Sequence, residues 1–318
     1  MYAIGVDIGG SNLRAALVHL QADSWQIEEH RRLSLPSQIS AEALVQQLAD
    51  ILASFPSTTK DAAIGVGIAA MLRGNEGIID NAPNLGWRNV DFGSLLRQGL
   101  GRHVWLENDL SAICWGEFRF GAAKEYDSAV SVFVGTGVGG GVVTDGKLYR
   151  GVGNAAMEIG HLRIQLDGKR CGCGARGCVE AYAGGHHLAE AARKSSSQQM
   201  VELCADPQER HAGHLEQAAL AGDGQAVAVL DQAVQALGWG LSSALTLFNP
   251  DCLVLGGTVW DGVEWLRKGV LRSIDELTNP PARGGVTILS PLLGDQAGVL
   301  GAADLALRNS SPVQSVPQ

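Results

Sequence analysis

Short apolar runs that end in glycine alternate along this chain with longer stretches of helical period. Tyr2 to Ile8 is apolar and ends in Asp7-Ile8-Gly9-Gly10, and Leu13 to Leu20 reads as a second strand. The turn between them, Gly9-Gly10-Ser11-Asn12, predicts a hairpin. A helix is predicted from Ala41 to Ser54, with Ser40 as its cap and Pro56 beyond its end. Ala63 to Ala69 has the composition of a buried strand, and Asn81 to Trp87, NAPNLGW, reads as a loop. His103 to Leu106 reads as a strand running into Glu107-Asn108-Asp109, with a helix over Leu110 to Phe120.

From Ser128 the pattern starts again. Val130 to Val134 is apolar, Gly135 to Gly141 reads GTGVGGG, and Val142 to Thr144 resumes as strand. This is a structural echo of the first hairpin without a sequence repeat, and it suggests two similar halves. Ala181 to about Gln235 is predicted mostly helical, with a polar loop near Asp206 to Gly213. Leu230, Val234, Leu237, Leu241, Ala244, Leu245 and Phe248 then recur at helical spacing, up to Asn249-Pro250. Cys252 to Leu255 is a strand ending in Gly256-Gly257, Val286 to Leu289 a last strand, and Asp295 to Leu307 a final helix. The tail from Asn309 to Gln318, rich in Ser, Pro and Gln, is predicted to be disordered. Strands alternating with helices give an α/β class, and the hairpins make its sheets mixed.

Composition narrows the picture. At 318 residues the chain is long enough for two domains. Apolar content of 46% with 18% charged residues is that of a soluble globular protein. A net charge of −9 argues against a nucleic-acid partner, since phosphate binding needs a basic face. The chain starts as a strand with no signal segment, and no apolar run approaches a membrane span. Cys114, Cys204 and Cys252 stand alone and read as buried free thiols. A reducing, cytoplasmic setting without a membrane partner is the expectation.

The densest candidate chemistry lies in Glu158 to Glu180, EIGHLRIQLDGKRCGCGARGCVE. Cys171, Cys173 and Cys178 are interleaved with glycines that let the backbone aim three sulfurs at one point. His161 supplies a fourth donor for tetrahedral zinc, so a structural Zn2+ is favoured over a redox pair or buried thiols. The first glycine turn offers backbone N–H groups for phosphate oxygens, with Asp7 needing a Mg2+ between it and the phosphate. The second turn, Gly135-Thr136-Gly137-Val138-Gly139-Gly140, has GxGxxG spacing, but strand rather than helix follows it, which disfavours a Rossmann site. A P-loop is disfavoured by the lack of a Walker A lysine motif. Gly256-Gly257 is a strand-to-helix turn that would let an adenosine approach the backbone. On spacing alone, Asp109 reads first as a helix N-cap and second as a base for a hydroxyl proton, with Asn108 beside it able to bond a sugar.

Taken in order, these motifs resemble the ROK family of repressors and sugar kinases. The resemblance rests on DIGGSNLR at 7–14, NAPNLGW at 81–87, ENDLSA at 107–112, GTGVGGG at 135–141, EIGH at 158–161, CGCGARGCVE at 171–180, LVLGGTV at 253–259 and LGDQAGVLGAA at 293–303. It implies an actin-like, hexokinase-type ATPase fold, with a mixed sheet in each of two lobes and an interlobe cleft. The lobes would be 1–120, rejoined by the helix 295–308, and 121–294, carrying the zinc loop 158–180, with 309–318 as the tail. It implies ATP-dependent phosphorylation of a hexose at the 6-hydroxyl and a homodimer. Glucose stands first among the sugars, with N-acetylmannosamine the leading alternative and N-acetylglucosamine, allose and fructose behind. Asp109 resembles the catalytic base. Asn84, Asn108, Asp109, Glu158, His161 and Glu180 match sugar-holding positions. Asp7, Gly9, Gly10, Ser11 and Asn12 match one phosphate turn, Gly135, Thr136, Gly137, Gly139 and Gly140 the other, and Gly256 and Gly257 lie near adenosine. His161, Cys171, Cys173 and Cys178 match the zinc site. This chain has Ser11 where the family commonly has Thr, and Ala69-Ala70 where it commonly has Pro-Gly at the sugar pocket. The repressors of the family carry a helix-turn-helix before the kinase-like body, and a strand beginning at Tyr2 speaks against that role.

Overall fold

The computed structural model describes residues 1–310 apart from 22, 23, 37 and 75. The chain forms two compact units: 1–127 with 141–156 and the segment from Pro291 onward, and 128–140 with 157–290. The segment 141–156 thus belongs with the first unit, although sequence order alone groups it with the second.

The strands of the first unit's opening part are β1 (Tyr2–Ile8), β2 (Asn12–Leu20), β3 (Trp25–Ser34), β4 (Ala63–Ile68), β5 (Met71–Arg73), β6 (Ile78–Ala82), β7 (Trp87–Asp91) and β8 (Trp105–Asn108). They form a sheet of order β3-β2-β1-β4-β8 and a smaller one of order β5-β6-β7. β1 runs antiparallel to β2 and parallel to β4, which is parallel to β8. The apolar runs in β1 and β4 are continuous because both faces of the sheet are covered. On one face lie Leu44 and Leu48 of the helix Ala41–Ala53 and Phe92 and Leu96 of the helix Phe92–Leu100. The C-terminal helix Ala297–Ser310 packs on the other, its backbone so close that a Cβ on Gly5 would lie 1.8 Å from the Val299 carbonyl oxygen.

Four local expectations change in this unit. β3 was not anticipated: WQIEEHRRLS is heavily charged, which an edge strand exposed along one side tolerates. The NAPNLGW loop is shorter than expected. Asn81 and Ala82 end β6 and Trp87 opens β7, because Trp87 is buried and its indole N–H donates to the Ile39 carbonyl at 2.7 Å. The strand expected at 103–106 begins at Trp105 and reaches Asn108. The last helix takes in Asn309 and Ser310, so those two residues are helical, while 311–318 of the predicted tail lie outside the described residues.

The echo read from the sequence is a repeated topology. β9 (Ala129–Val134), β10 (Val138–Thr144), β11 (Lys147–Leu148), β12 (Cys252–Gly256) and β13 (Thr287–Leu289) form a sheet of order β11-β10-β9-β12-β13. As in the first sheet, a hairpin strand is followed by parallel neighbours, here β9 with β12 and β12 with β13. β10 starts at Val138, four residues earlier than expected, so Gly139 and Gly140 are strand residues and the turn proper is Gly135–Gly137. The long helix Gly224–Phe248 ends as its sequence implies, with Asn249 in the left-handed conformation. Cys114 and Cys252 are buried as expected, whereas Cys204 is only partly so. No described helix is long and apolar enough to cross a membrane.

Candidate active site and metal centre

In the first unit three parallel strands end side by side. Register pairs Ile8 with Ile68 and Ile68 with Asn108, so β1, β4 and β8 deliver their next residues to one edge of the sheet. Those residues are Gly9-Gly10, Ala69-Ala70 and Asp109. The carboxyl end of a parallel sheet is where open α/β proteins bind ligands. Gly9 donates to the Asn12 carbonyl at 2.9 Å and closes the first turn, leaving Ser11 exposed. Gly10 lies against Asn84, where a Cβ would come within 2.8 Å of Asn84 Cβ. The Ala69 N–H donates to the Ile8 carbonyl at 2.9 Å, a bond that a proline there could not make.

Asn108, not Asp109, caps the helix Asp109–Phe120. Its Oδ1 accepts from the Ser111 N–H at 3.0 Å, and its Nδ2 donates to the Ala70 carbonyl at 3.1 Å. The capping role read first for Asp109 is therefore taken by its neighbour. Asp109 is the first helical residue. Asp7 pairs with Arg14 at 3.1 Å across the hairpin. Burial still pushes its carboxyl above the ordinary value of 3.8, against the pull of Arg14.

In the second unit the metal-ligand candidates and the second glycine turn share one acid. His161, Cys171, Cys173 and Cys178 bring their donor atoms within 4.8 Å of one another. Cys173 and Cys178 Sγ are 3.8 Å apart, and Cys171 Sγ is 3.6 Å from His161 Nδ1. Zinc–sulfur bonds of about 2.3 Å at tetrahedral angles put two sulfurs about 3.8 Å apart, so the residues fit that ion. Burial pushes the Cys171 and Cys178 thiols up, the opposite of what a thiolate needs, and a bound cation is what would reverse it. The other ring nitrogen of His161 faces Glu158 at 4.0 Å, and burial raises the Glu158 carboxyl despite His161.

Glu180 opens a short helix directly after Cys178-Val179 and reaches both sides. Its Oε1 lies 3.7 Å from Cys171 Sγ, and its Oε2 accepts from the Val138 N–H at 3.0 Å. Gly137 is glycine for this contact: a Cβ there would meet Glu180 Oε2 at 2.4 Å. The turn is held further by Gly185 and His186, whose N–H groups donate to the Gly135 and Thr136 carbonyls. Beside it a cavity of roughly 510 Å3 is lined by Gly135, Thr136, His186, Arg193, Thr258 and Val259, among others. Gly257, at φ +105°, turns the chain from β12 into this wall. His186, Arg193 and Thr258 were not anticipated, because nothing in their local pattern sets them apart from ordinary helix-surface residues.

Residues 3–309 match the ROK family. The chain belongs to the ROK family. The glucokinase of Thermotoga maritima is 31% identical to it, over 95% of this chain and 96% of its own length. The N-acetylmannosamine kinase of Escherichia coli O7:K1 is 33% identical, over 96% of this chain and 99% of its own. The crystal structure of a ROK family glucokinase from Streptomyces griseus, in complex with glucose and AMPPNP, matches with a TM-score of 0.77 at 32% identity. It covers 97% of this chain and 100% of that one. The fold is thus the two-lobe, actin-like one that the motifs implied, with two mixed five-stranded sheets.

Proposed function

We propose that this ROK protein is an ATP-dependent hexose kinase, transferring the γ-phosphoryl group to a sugar 6-hydroxyl, with glucose as the first substrate. The observation that carries the reading is the common edge reached by β1, β4 and β8, which assembles a glycine turn, Asn108 and Asp109, with Asn108 as the helix cap. Asp109 accepts the hydroxyl proton as the oxygen attacks. Asn84, Asn108, Glu158, His161 and Glu180 hold the sugar, and Gly10 to Asn12 and Thr136 to Gly137 present N–H groups to phosphate oxygens, the Gly9 and Gly135 N–H groups closing the turns themselves. Asp7 would hold Mg2+, which supplies neutralisation of phosphate charge. His161, Cys171, Cys173 and Cys178 would hold a structural Zn2+ that fixes the loop carrying Glu158 and Glu180. Phosphoryl transfer needs mostly positioning and electrostatics, so the sugar-holding groups matter as much as the base.

The test is a panel of glucose, N-acetylmannosamine, N-acetylglucosamine, allose and fructose with MgATP, read as ADP release and product phosphate position. ADP formation with at least one hexose, at the 6-position, is expected. N-acetylmannosamine is the second reading, favoured by the similarity to the Escherichia coli kinase. No turnover with any member of the panel overturns the proposal.

A further inference from the structure

We infer that the pair of buried Glu107 and half-buried Arg150 is a positioning device for the end of β8 that bears Asn108 and Asp109; the inference builds on the kinase reading. Glu107 and Trp105 project from the same face of β8, two residues apart, while Asn108 belongs to the opposite set. Arg150 engages both members of that face. Its Nε donates to Glu107 Oε2 at 2.5 Å, and its guanidinium lies over the Trp105 ring, 4.8 Å from the centroid. Glu107 Oε1 also accepts from the backbone N–H of Asn108 at 3.3 Å. One buried carboxylate thus joins the Arg150 cation to the backbone of the residue that caps the Asp109 helix.

Arg150 is itself anchored. Its carbonyl accepts from the Ala156 N–H at 3.0 Å, and Gly153 accepts from the Gly74 N–H at 3.0 Å, so the loop 150–156 is tied down within the first unit. Stability does not explain the pair. Glu107 is 1% exposed and the Arg150 side chain 22%, and the cost of burying the carboxylate offsets much of what their attraction returns. Burial raises the Glu107 carboxyl even with Arg150 beside it. A pair of apolar side chains would fill the space without that cost. What they would lack is direction: a charged bond and a cation over a ring fix both the height and the rotation of the strand end.

The experiment compares Glu107→Gln, Arg150→Met, the double variant and Arg150→Lys with the unaltered protein. Misplacing a reacting group by about 1 Å can cost a hundredfold, so each of the first two should lose about tenfold to a hundredfold in kcat. The KM for ATP should stay within about twofold, because neither residue belongs to the glycine turns proposed to bind phosphate. The double variant should be no worse than the weaker single one, since both remove one interaction, and Arg150→Lys should recover part of the loss. An activity-free readout runs alongside: hydrogen exchange at the Ser111 amide, which bonds to Asn108 Oδ1, should quicken in Glu107→Gln while β1 and β2 amides keep their rates. Unchanged Ser111 exchange overturns the inference, whatever the enzyme does. So do kcat values within about twofold of the unaltered protein, losses that multiply in the double variant, or losses that follow only the melting temperature. A wild-type protein that turns over no hexose counts against the kinase reading alone, and the exchange result still decides this one.

Discussion

Glu180 Oε2 accepts a hydrogen bond from the Val138 backbone N–H at 3.0 Å, and its other oxygen lies 3.7 Å from Cys171 Sγ. One side chain therefore joins the second glycine turn to the Cys/His cluster. Glu180→Ala should weaken sugar and ATP together, raising both KM values, because it frees the turn as well as removing a group proposed to hold the sugar. Glu180→Gln keeps a carbonyl acceptor for Val138 and should spare the ATP KM while still raising that of the sugar. Steady-state kinetics with each substrate varied in turn separates the two. Equal effects from Ala and Gln on the ATP KM would mean the Val138 bond is idle.

Asp109→Asn should leave sugar binding close to normal and lower kcat by about 10²–10⁴-fold, the usual contribution of a positioned general base. The helix should persist, because Asn108 supplies the cap. Calorimetric sugar titration and a coupled ADP assay measure the two halves. Near-normal turnover would remove Asp109 from the chemistry.

Protein purified without added zinc should carry about one zinc per chain by elemental analysis. Cys178→Ser should lose the metal, lower the melting temperature and weaken sugar affinity, since Glu180 lies two residues beyond it. A metal-free preparation with full activity and unchanged melting would show that the cluster organises nothing.

Asp7 should trade stability for function. Its folded pKa lies above the ordinary 3.8, so the folded state holds this proton to higher pH than the unfolded chain does. The stability from that proton is fully present below 3.8 and is lost as pH rises through the raised value. Asp7→Asn should then melt at or above the wild-type temperature at pH 7.5 or so, with the gap closing towards about pH 4. Turnover should fall throughout, as the proposed Mg2+ holder is gone. A variant that melts lower at neutral pH would show that the Arg14 pairing outweighs the burial cost.

Much of this protein is legible in one dimension because its signals are local. The run from Tyr2 to Ile8, the repeated strand–glycine–strand pattern and the long helix ending at Asn249 follow from periodicity and backbone chemistry within a few residues. Three cysteines within eight positions, with His161 upstream, could be read as one cluster for the same reason. Edge strand β3 escaped because exposure on one side leaves too weak an alternation to outweigh its charges.

The tertiary structure alone decided relations that span the chain or turn on a single backbone step. Asn108 and Asp109 are equally plausible caps by type, and only the extended backbone at Asn108 assigns the role. Gly9, Ala70 and Asp109 share an edge because parallel pairing aligns Ile8, Ile68 and Asn108, a register that no local pattern encodes. Glu107 meets Arg150 across 43 residues of sequence, and Glu180 meets Val138 across 42. Sequence determined which chemistries this chain carries, because residue type and near spacing are written in it. Folding determined which of them act together, because those contacts exist only once distant strands and loops have packed.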